Sequence, residues 1–378
     1  MSLLTRLRRR LFRRTPAALP SRPLAETIDF NDPPIARDPY PHWRTLRSEG
    51  PVHFLPATGG WMVLGYDAVK EALARPDLYS NAPYRDVDAV LLGEDPPRHS
   101  AARRLVSRHF TSAGLQQLEQ NAALTARKLA RPGFDAVADF AQPISRSVAA
   151  ELIGFDARTL AELVEAADAA AGQSLEAMLA ALDPFAPRAA LYRQILRDGE
   201  GTVGDDEARS LIRLLWLAST ATTERVIVCG VLRLVEDPEL QSRLAAEPSL
   251  LGAFTEEILR LHPPELVVRR TATQDVRLAG KDMPRGALLF LSIGAANRDP
   301  AIFPAGDALR LESASKRHLA FGSGIHHCVG APLARRVAAA AFSELLQSGA
   351  FHAAEAEEVL PWLTIITTLA PLRLEIAR

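Results

Sequence analysis

A mainly helical fold with a small strand-rich part is the class that this sequence predicts, and three observations carry it. Long Ala- and Leu-rich stretches, above all 98–154 and 208–234, place apolar residues at helical spacing. Runs with strand character are few and short, at 52–55, 61–64, 267–273, 276–278 and 287–292. The 27 prolines fall where such helices must stop and loops begin.

Composition bounds the function. Apolar residues make up 48% and charged residues 24% of 378 positions, which is ordinary for a globular chain and unlike a disordered, collagen-like or polytopic membrane one. The formal net charge of −1 disfavours a generally basic nucleic-acid binder. Two cysteines cannot build a disulfide scaffold, and cytoplasmic thiols are the expectation. No linker, repeat or low-complexity stretch divides the chain. We expect one domain over 21–378 behind a basic flexible arm at 1–20.

The arm opens MSLLTRLRRRLFRR, with six arginines. They interrupt any apolar run, so this is neither a secretory leader nor a membrane span. A solvated arm is the first reading; weak peripheral membrane contact through 1–14 is the second. Residues 17–45, rich in Pro and Asp, suit an irregular wrap. Val52–Leu55 and Trp61–Leu64 flank Thr58-Gly59-Gly60 as a hairpin. A helix is expected over Asp67–Ala74, a loop over 79–97, several helices from Arg98 to Gly154, and two more over 157–173 and 184–197. Gly201–Glu207 is a polar break before the long helix Ala208–Leu234. That helix is apolar on most sides and should cross the core, while Arg213, Glu224 and Arg225 argue against a membrane span. A helix over Leu250–Leu261 stops at His262-Pro263-Pro264. Residues 297–324 read as irregular, and a last helix runs from about Pro332 to Leu346.

The densest signal is Phe321-Gly322-Ser323-Gly324-Ile325-His326-His327-Cys328-Val329-Gly330. The glycines permit tight turns and close approach to a flat ligand. The helix after Cys328 points its positive end at this loop, which with nearby amides favours a thiolate. A thiolate of that kind can serve as axial ligand to haem iron.

This run resembles the haem-binding signature of the cytochrome P-450 superfamily, the haem-thiolate monooxygenases: Phe321, Gly324, Cys328 and Gly330 match Phe-x-x-Gly-x-x-x-Cys-x-Gly. The flank Ala331-Pro332-Leu333-Ala334-Arg335 is similar to the soluble bacterial branch. Glu257 and Arg260 match the family's Glu-x-x-Arg, which implies a buried structural lock rather than a catalytic dyad. Arg310 and Arg317 are candidates for its further partner. Asp95-Pro96-Pro97-Arg98-His99 through Arg103 resembles the start of another family helix. The resemblance implies that His99, Arg103, Arg270 and His326 meet the haem propionates, and that Phe321, Gly322 and Gly330 shape the haem loop. It implies the family's triangular helical prism around haem b (iron protoporphyrin IX) and extends from about residue 25 to the end.

One stretch departs from the pattern. Ala218-Ser219-Thr220-Ala221-Thr222-Thr223 aligns with the family's oxygen-activation motif, with Thr222 at the threonine position. Ala221 stands where an acid is usual, and Ser219 where a glycine is. An alanine methyl relays no proton. Either Ser219, Thr220, water or substrate rebuilds the relay, or peroxide replaces dioxygen, or the product is unusual. A register error of one residue is the remaining alternative. Glu224 faces elsewhere, two steps along the helix.

The resemblance thus implies insertion of one oxygen atom from dioxygen into a small, largely apolar substrate. The alternatives are a peroxide-driven or non-hydroxylating oxidase (desaturation or coupling) and, more remotely, a haem-binding sensor. Pocket candidates are the 79–95 loop, 168–185, Leu214–Thr222, Leu266–Arg270 and Ile365–Leu369. Tyr84, Arg85, Asp86 and Asp88 offer a polar anchor, and Leu175 and Met178 read equally as pocket wall or core. No nicotinamide or flavin motif is present, so electrons are expected from a ferredoxin and its reductase. Arg103, Arg104, Arg108, Arg335 and Arg336 are candidates for steering an acidic partner. Cys229 reads as inert core.

Overall fold

The computed structural model describes residues 23–313, 317–356 and 372–376. The arm at 1–20 and the pocket candidates Ile365–Leu369 lie outside the described residues.

The chain starts with α1 (Leu24–Thr27), α2 (Pro33–Arg37) and α3 (Tyr40–Glu49). The expected irregular wrap over 17–45 is therefore wrong for this part. Trp43 and Leu46, three apart on α3, are 1% and 0% exposed and give it a buried face. Prolines sit at the first turns of α2 and α3, where a missing N–H costs little. The hairpin β1 (Val52–Leu55) and β2 (Gly60–Val63) then leads to α4 (Tyr66–Ala74). Residues 79–97 form a loop except for β3 (Tyr79–Ser80) and one 3-10 turn, Ala82–Tyr84.

Helices α5 (Arg98–Ser107), α6 (Ser112–Leu129) and α7 (Gln142–Ile153) follow, with β4 (Phe134–Asp135) and a π turn at Ala136–Ala141 before α7. The Thr111 hydroxyl caps α6 by accepting from the Gly114 N–H at 3.2 Å. Gly154, at φ +79°, ends α7. α8 (Ala157–Ala170) is capped by Asp156, and α9 (Leu175–Leu182) by Ser174. The helix expected over 184–197 begins only at Ala190, as α10 (Ala190–Asp198). Pro184 and Pro187 lack the N–H that an α-helix needs, and Asp183–Arg188 coils as a 3-10 segment instead.

The long α11 (Asp205–Glu236) starts three residues ahead of Ala208. Asp205, Asp206 and Glu207 suit its positive end, and Glu207 Oε2 accepts the Gly204 N–H at 2.9 Å. Its length and mean hydropathy would permit a membrane span, but half of its apolar window is buried inside this fold. Then come α12 (Pro238–Ala246), α13 (Leu251–Leu261), β5 (Val267–Ala272), β6 (Val276–Leu278), β7 (Lys281–Met283), β8 (Leu288–Ser292), α14 (Ile293–Ala296), α15 (Ala331–Gln347), β9 (Phe351–Ala356) and β10 (Leu372–Ile376).

The main sheet has strand order β1-β2-β8-β5-β3, with β2 and β8 parallel; β4-β10-β9 and β6-β7 form smaller sheets. One apolar cluster joins α6, α7, α11, α13 and α15, and a second joins α5, α10 and the first half of α11. Helix α11 thus lies in both. Its crossing with α15 depends on Gly230, where a Cβ would stand 2.1 Å from the Phe342 ring.

Candidate active site

The loop before α15 is built by backbone hydrogen bonds that only a glycine-rich segment permits. The Gly322 N–H donates to the Leu319 carbonyl at 2.9 Å, His327 to Gly324 at 3.1 Å, and Cys328 to Phe321 at 2.8 Å. Gly322 and Gly324 both sit at φ +70°. Gly324 is also pressed on α4: a Cβ there would lie 2.9 Å from Ala74 Cα and from the Leu73 carbonyl. Gly330, beside the Cys328 sulfur and Phe110, opens α15. The Phe321 ring stacks under the Arg335 guanidinium at 4.4 Å.

Cys328 lies deep in the protein yet keeps accessible surface, so that surface opens on an internal space. Burial raises its thiol pKa. The Gly330 and Ala331 N–H groups and the Arg103 and Arg335 charges pull it back only in part. A bound metal cation at the sulfur would tip this balance to the thiolate.

The middle of α11 also opens inward. Ala218 is exposed in the centre of a core helix, and Leu214, Leu217, Ser219, Ala221 and Thr222 are half-buried. On the opposite side, Thr220 is 9% exposed and its hydroxyl donates to the Trp216 carbonyl at 2.8 Å. Thr220 is thus turned away from the face that carries Ala218 and Thr222. The Thr222 hydroxyl donates to the Ala218 carbonyl at 2.6 Å. Glu224 points at Gln142 of α7, 3.4 Å away, and burial raises its carboxyl pKa. Val329, next to Cys328, packs on the same apolar cluster as Leu214 and Leu217.

His99, Arg103, Arg270 and His326 converge from α5, β5 and the cysteine loop. The His99 and His326 rings stand 4.3 Å apart. Both His99 ring nitrogens and His326 Nε2 are buried without a hydrogen-bond partner. Asp95 Oδ1 is 3.8 Å from His326 Nε2, too far for a hydrogen bond. Burial, then the His99, Arg270 and Arg103 charges, hold the His326 pKa down at about 3. Arg270 is 4% exposed, and its guanidinium donates to the Arg269 carbonyl at 2.8 Å. Burial lowers its pKa to about 10, and lowers that of Arg103 as well.

Two cations and two orphaned imidazoles around an inward-facing space form a site short of negative charge. A ligand with two carboxylates and a flat apolar body suits it, since buried polar groups otherwise lose their hydrogen bonds. A haem, with its propionates on these four residues and its iron on Cys328, has both features.

The Glu257–Arg260 pair is 2% and 3% exposed. Arg260 Nε and Nη2 each donate to the Glu257 carboxylate at 2.8 Å. Arg260 also donates to the carbonyls of Asn297 (3.1 Å), Gly306 (2.6 Å) and Ala308 (2.7 Å). The Arg310 backbone N–H completes the set, donating to Glu257 Oε2 at 2.9 Å. Arg310 therefore joins through its main chain, not its guanidinium.

A second buried cluster escaped the sequence reading. Glu256 accepts from Arg335 Nε at 2.5 Å and lies 3.0 Å from His318 Nε2. Burial alone would raise the Glu256 pKa, but the His318 and Arg335 hydrogen bonds and charges bring it down to about 2. The adjacent Glu256 and Glu257 were the available signal; nothing local in the sequence says that they serve different arginines.

Other candidates find different work. Asp88 is 1% exposed and anchors its own loop rather than facing a ligand. One oxygen accepts the N–H groups of Val90 (3.1 Å), Leu91 (2.5 Å) and Leu92 (2.8 Å), and the other accepts the Ser210 hydroxyl at 2.7 Å. Tyr84 lies under the Arg269 guanidinium at 5.0 Å and accepts the Arg269 N–H at 2.9 Å. Arg85 is 3.6 Å from Glu94, and Asp86 is exposed. Met178 packs against the second apolar cluster. Cys229 packs on the first cluster, and burial pushes its thiol up to about 11.

The surface arginines are largely neutralised. Arg108 pairs with Asp198 at 2.8 Å, Arg335 with Glu256, and Arg336 with Glu119 at 2.5 Å. Arg103 turns inward. Arg104 is the one of the five left exposed with no ion pair among the described residues.

Comparison with known proteins agrees with this geometry. The cytochrome P450 family model matches residues 146–365. Cytochrome P450 144 of Mycobacterium tuberculosis is 32% identical, over 90% of this chain and 89% of its own length. The cytochrome P450 monooxygenase PikC of Streptomyces venezuelae is 30% identical, over 83% and 84%. The solved structure of cytochrome P450 CYP109Q5 from Chondromyces apiculatus superposes with a TM-score of 0.83 at 28% identity, covering 93% of this chain and 98% of that one. A fold shared over nearly its whole length, and a sequence match that holds both before and after the cysteine loop, leave one conclusion: the chain belongs to the cytochrome P450 family.

Proposed function

We propose that this chain is a haem b-dependent monooxygenase that inserts one atom of dioxygen into a small, largely apolar organic substrate. Electrons come from a separate ferredoxin and its reductase. The observation that carries this reading is the inward-open Cys328 sulfur in the same fold as two orphaned histidines, the buried Arg270 and the half-buried Arg103.

In this reading Cys328 holds the iron, and His99, Arg103, Arg270 and His326 hold the propionates. Phe321, Gly322 and Gly330 shape the loop, and Glu257 with Arg260 braces the segment that carries it. When bound, the haem supplies the oxidising centre at which dioxygen is activated. The protein orients, desolvates and delivers protons. Leu214, Leu217 and Ala218 give the substrate an apolar wall that excludes water. Thr222 places its hydroxyl oxygen on that wall. With its proton held by the Ala218 carbonyl, that oxygen is left to accept a hydrogen bond. Ser219 is the neighbouring hydroxyl; Thr220 faces the wrong way to help.

Residues 21–378 act as one domain, and we place the protein in the cytoplasm. Electron-donor docking rests on few free charges, with Arg104 the clearest of them.

The first test is the absorption spectrum of the reduced, carbon-monoxide-bound protein. A thiolate-type red shift is expected, and its absence would refute the reading. Ala221 favours a second reading, in which peroxide drives the reaction or the outcome is desaturation or coupling. Turnover with a ferredoxin system and separately with peroxide decides between them, after substrates are found by their spin-state shift.

A further inference from the structure

Ala221 leaves the inward face of the central helix without an acid, while a buried acid elsewhere has no assigned task. Glu265 lies between α13 and β5, in Pro264-Glu265-Leu266. Among the described residues its carboxyl makes no hydrogen bond and no ion pair. The side chain sits wholly inside the fold yet keeps some accessible surface, so this surface, like that of Cys328, opens inward. Its neighbour Leu266 is 3% exposed and packs the other way, into the core with Trp43.

Helix α11 connects this acid to Thr222. Ala218, Ala221, Thr222 and Arg225 recur at spacings of three, four and seven, on one face. Arg225 is therefore one turn beyond Thr222. Its Nη1 donates to the Pro264 carbonyl at 3.2 Å, on the residue next to Glu265. One side chain thus spans from the face that carries Thr222 to the segment that carries the orphan acid.

We propose that Glu265 is the proton source for the Thr222 wall, standing in for the acid that Ala221 lacks and acting through water. This rests on the monooxygenase reading above. A water that donates to the Thr222 oxygen takes the Glu265 proton and passes one of its own to the dioxygen as it is reduced, so the water itself is unchanged. Glu265 becomes a carboxylate and is reprotonated from solvent, so no other reactant is needed. Among the described residues, the charged and titratable groups that face it are Arg225 from α11, Arg269 from β5, and the Tyr84 hydroxyl from the 79–97 loop. Burial raises the Glu265 pKa to about 7, against the lowering pull of Arg225 and Arg269. An acid poised near neutrality both holds and gives up a proton there.

The test uses haem-loaded protein and needs no substrate. The rate at which the reduced holoenzyme is reoxidised by air is followed by stopped flow, across pH and in light and heavy water. The wild-type rate should fall roughly tenfold per pH unit above neutrality, with a solvent isotope effect. Glu265→Gln should remove both, and Ala221→Asp placed on Glu265→Gln should restore the isotope effect. A purely structural role for Glu265 would not produce that rescue. Independently of turnover, infrared difference spectra should show a protonated-carboxyl band that titrates near neutrality and is absent from Glu265→Gln. Identical pH profiles for wild type and Glu265→Gln, or no such band, would overturn the proposal. The thiolate-type carbon-monoxide spectrum of each variant reports separately on the family reading, so the two failures are distinguishable.

Discussion

Replacing Gly324 by alanine should damage the protein more than the same change at Gly322, although both have φ +70°. The shared term is conformational: a left-handed backbone costs an L-residue about 1–2 kcal/mol. The second term differs. At Gly322 the nearest atom to a new Cβ is the His326 carbonyl oxygen at 3.8 Å, an ordinary contact. At Gly324 the Cβ meets Ala74 Cα and the Leu73 oxygen at 2.9 Å, both of them backbone of α4. Backbone cannot rotate away, so overpacking adds about 1–3 kcal/mol. The totals are about 2–5 kcal/mol for Gly324→Ala and about 1–2 kcal/mol for Gly322→Ala. Gly201, at φ +77° with nothing within 4 Å, gives the conformational term alone. Denaturant midpoints of the three variants measure the order. The fraction showing a thiolate-type carbon-monoxide spectrum reports whether the strain reaches Cys328. Equal losses at all three positions would refute the steric part of this reasoning.

Other expectations follow from the buried charges. Arg260→Leu should cost about 3–5 kcal/mol, because it leaves Glu257 buried and unpaired, and the double variant Glu257→Leu/Arg260→Leu should recover part of that in denaturant unfolding. Glu256→Gln should lower stability at neutral pH. A carboxyl held below its ordinary value stabilises the fold above that value and stops doing so as it protonates. The gap from wild type should therefore be full above about pH 4.5 and close as the pH falls toward about 2, as acid unfolding of both proteins would show. If Arg270 holds a haem propionate as proposed, Arg270→Gln removes one charge-assisted contact of about 1.5–3 kcal/mol, and haem transfer to an acceptor globin should quicken roughly tenfold to a hundredfold. With its pKa at about 10, Arg270 is charged throughout the neutral range, and that effect should not vary there.

What the sequence made legible was governed by local chemistry. Cys328 and its glycines carry their own conformational instructions, and α11 announces itself by length and apolar content. The short α3 is hidden by the prolines and acids that crowd the stretch leading into it, although Trp43 and Leu46 alone fix its inner face. Over 184–197 the helical periodicity runs through Pro184 and Pro187, whose missing N–H groups hold the helix off until Ala190. The site partners were least legible. Whether Glu257 or Glu256 meets Arg260, and whether Asp88 faces a ligand or its own backbone, depends on packing between segments distant in sequence. The same holds for the five arginines read as a docking face, most of which find acids on neighbouring elements.

Asp88 joins two elements of very different size. Three amides of the 79–97 loop and the Ser210 hydroxyl of α11 share a single carboxylate. The loop centre and the first turns of the long helix are thereby coupled mechanically: neither can travel without the other unless a buried charge gives up its donors. Any displacement of the loop must work around this pin. A shift of α11 at Ser210 would load the Val90–Leu92 amides through the same carboxylate. The slowing of hydrogen exchange at those amides would then serve as a gauge of occupancy, read from the outside of the molecule.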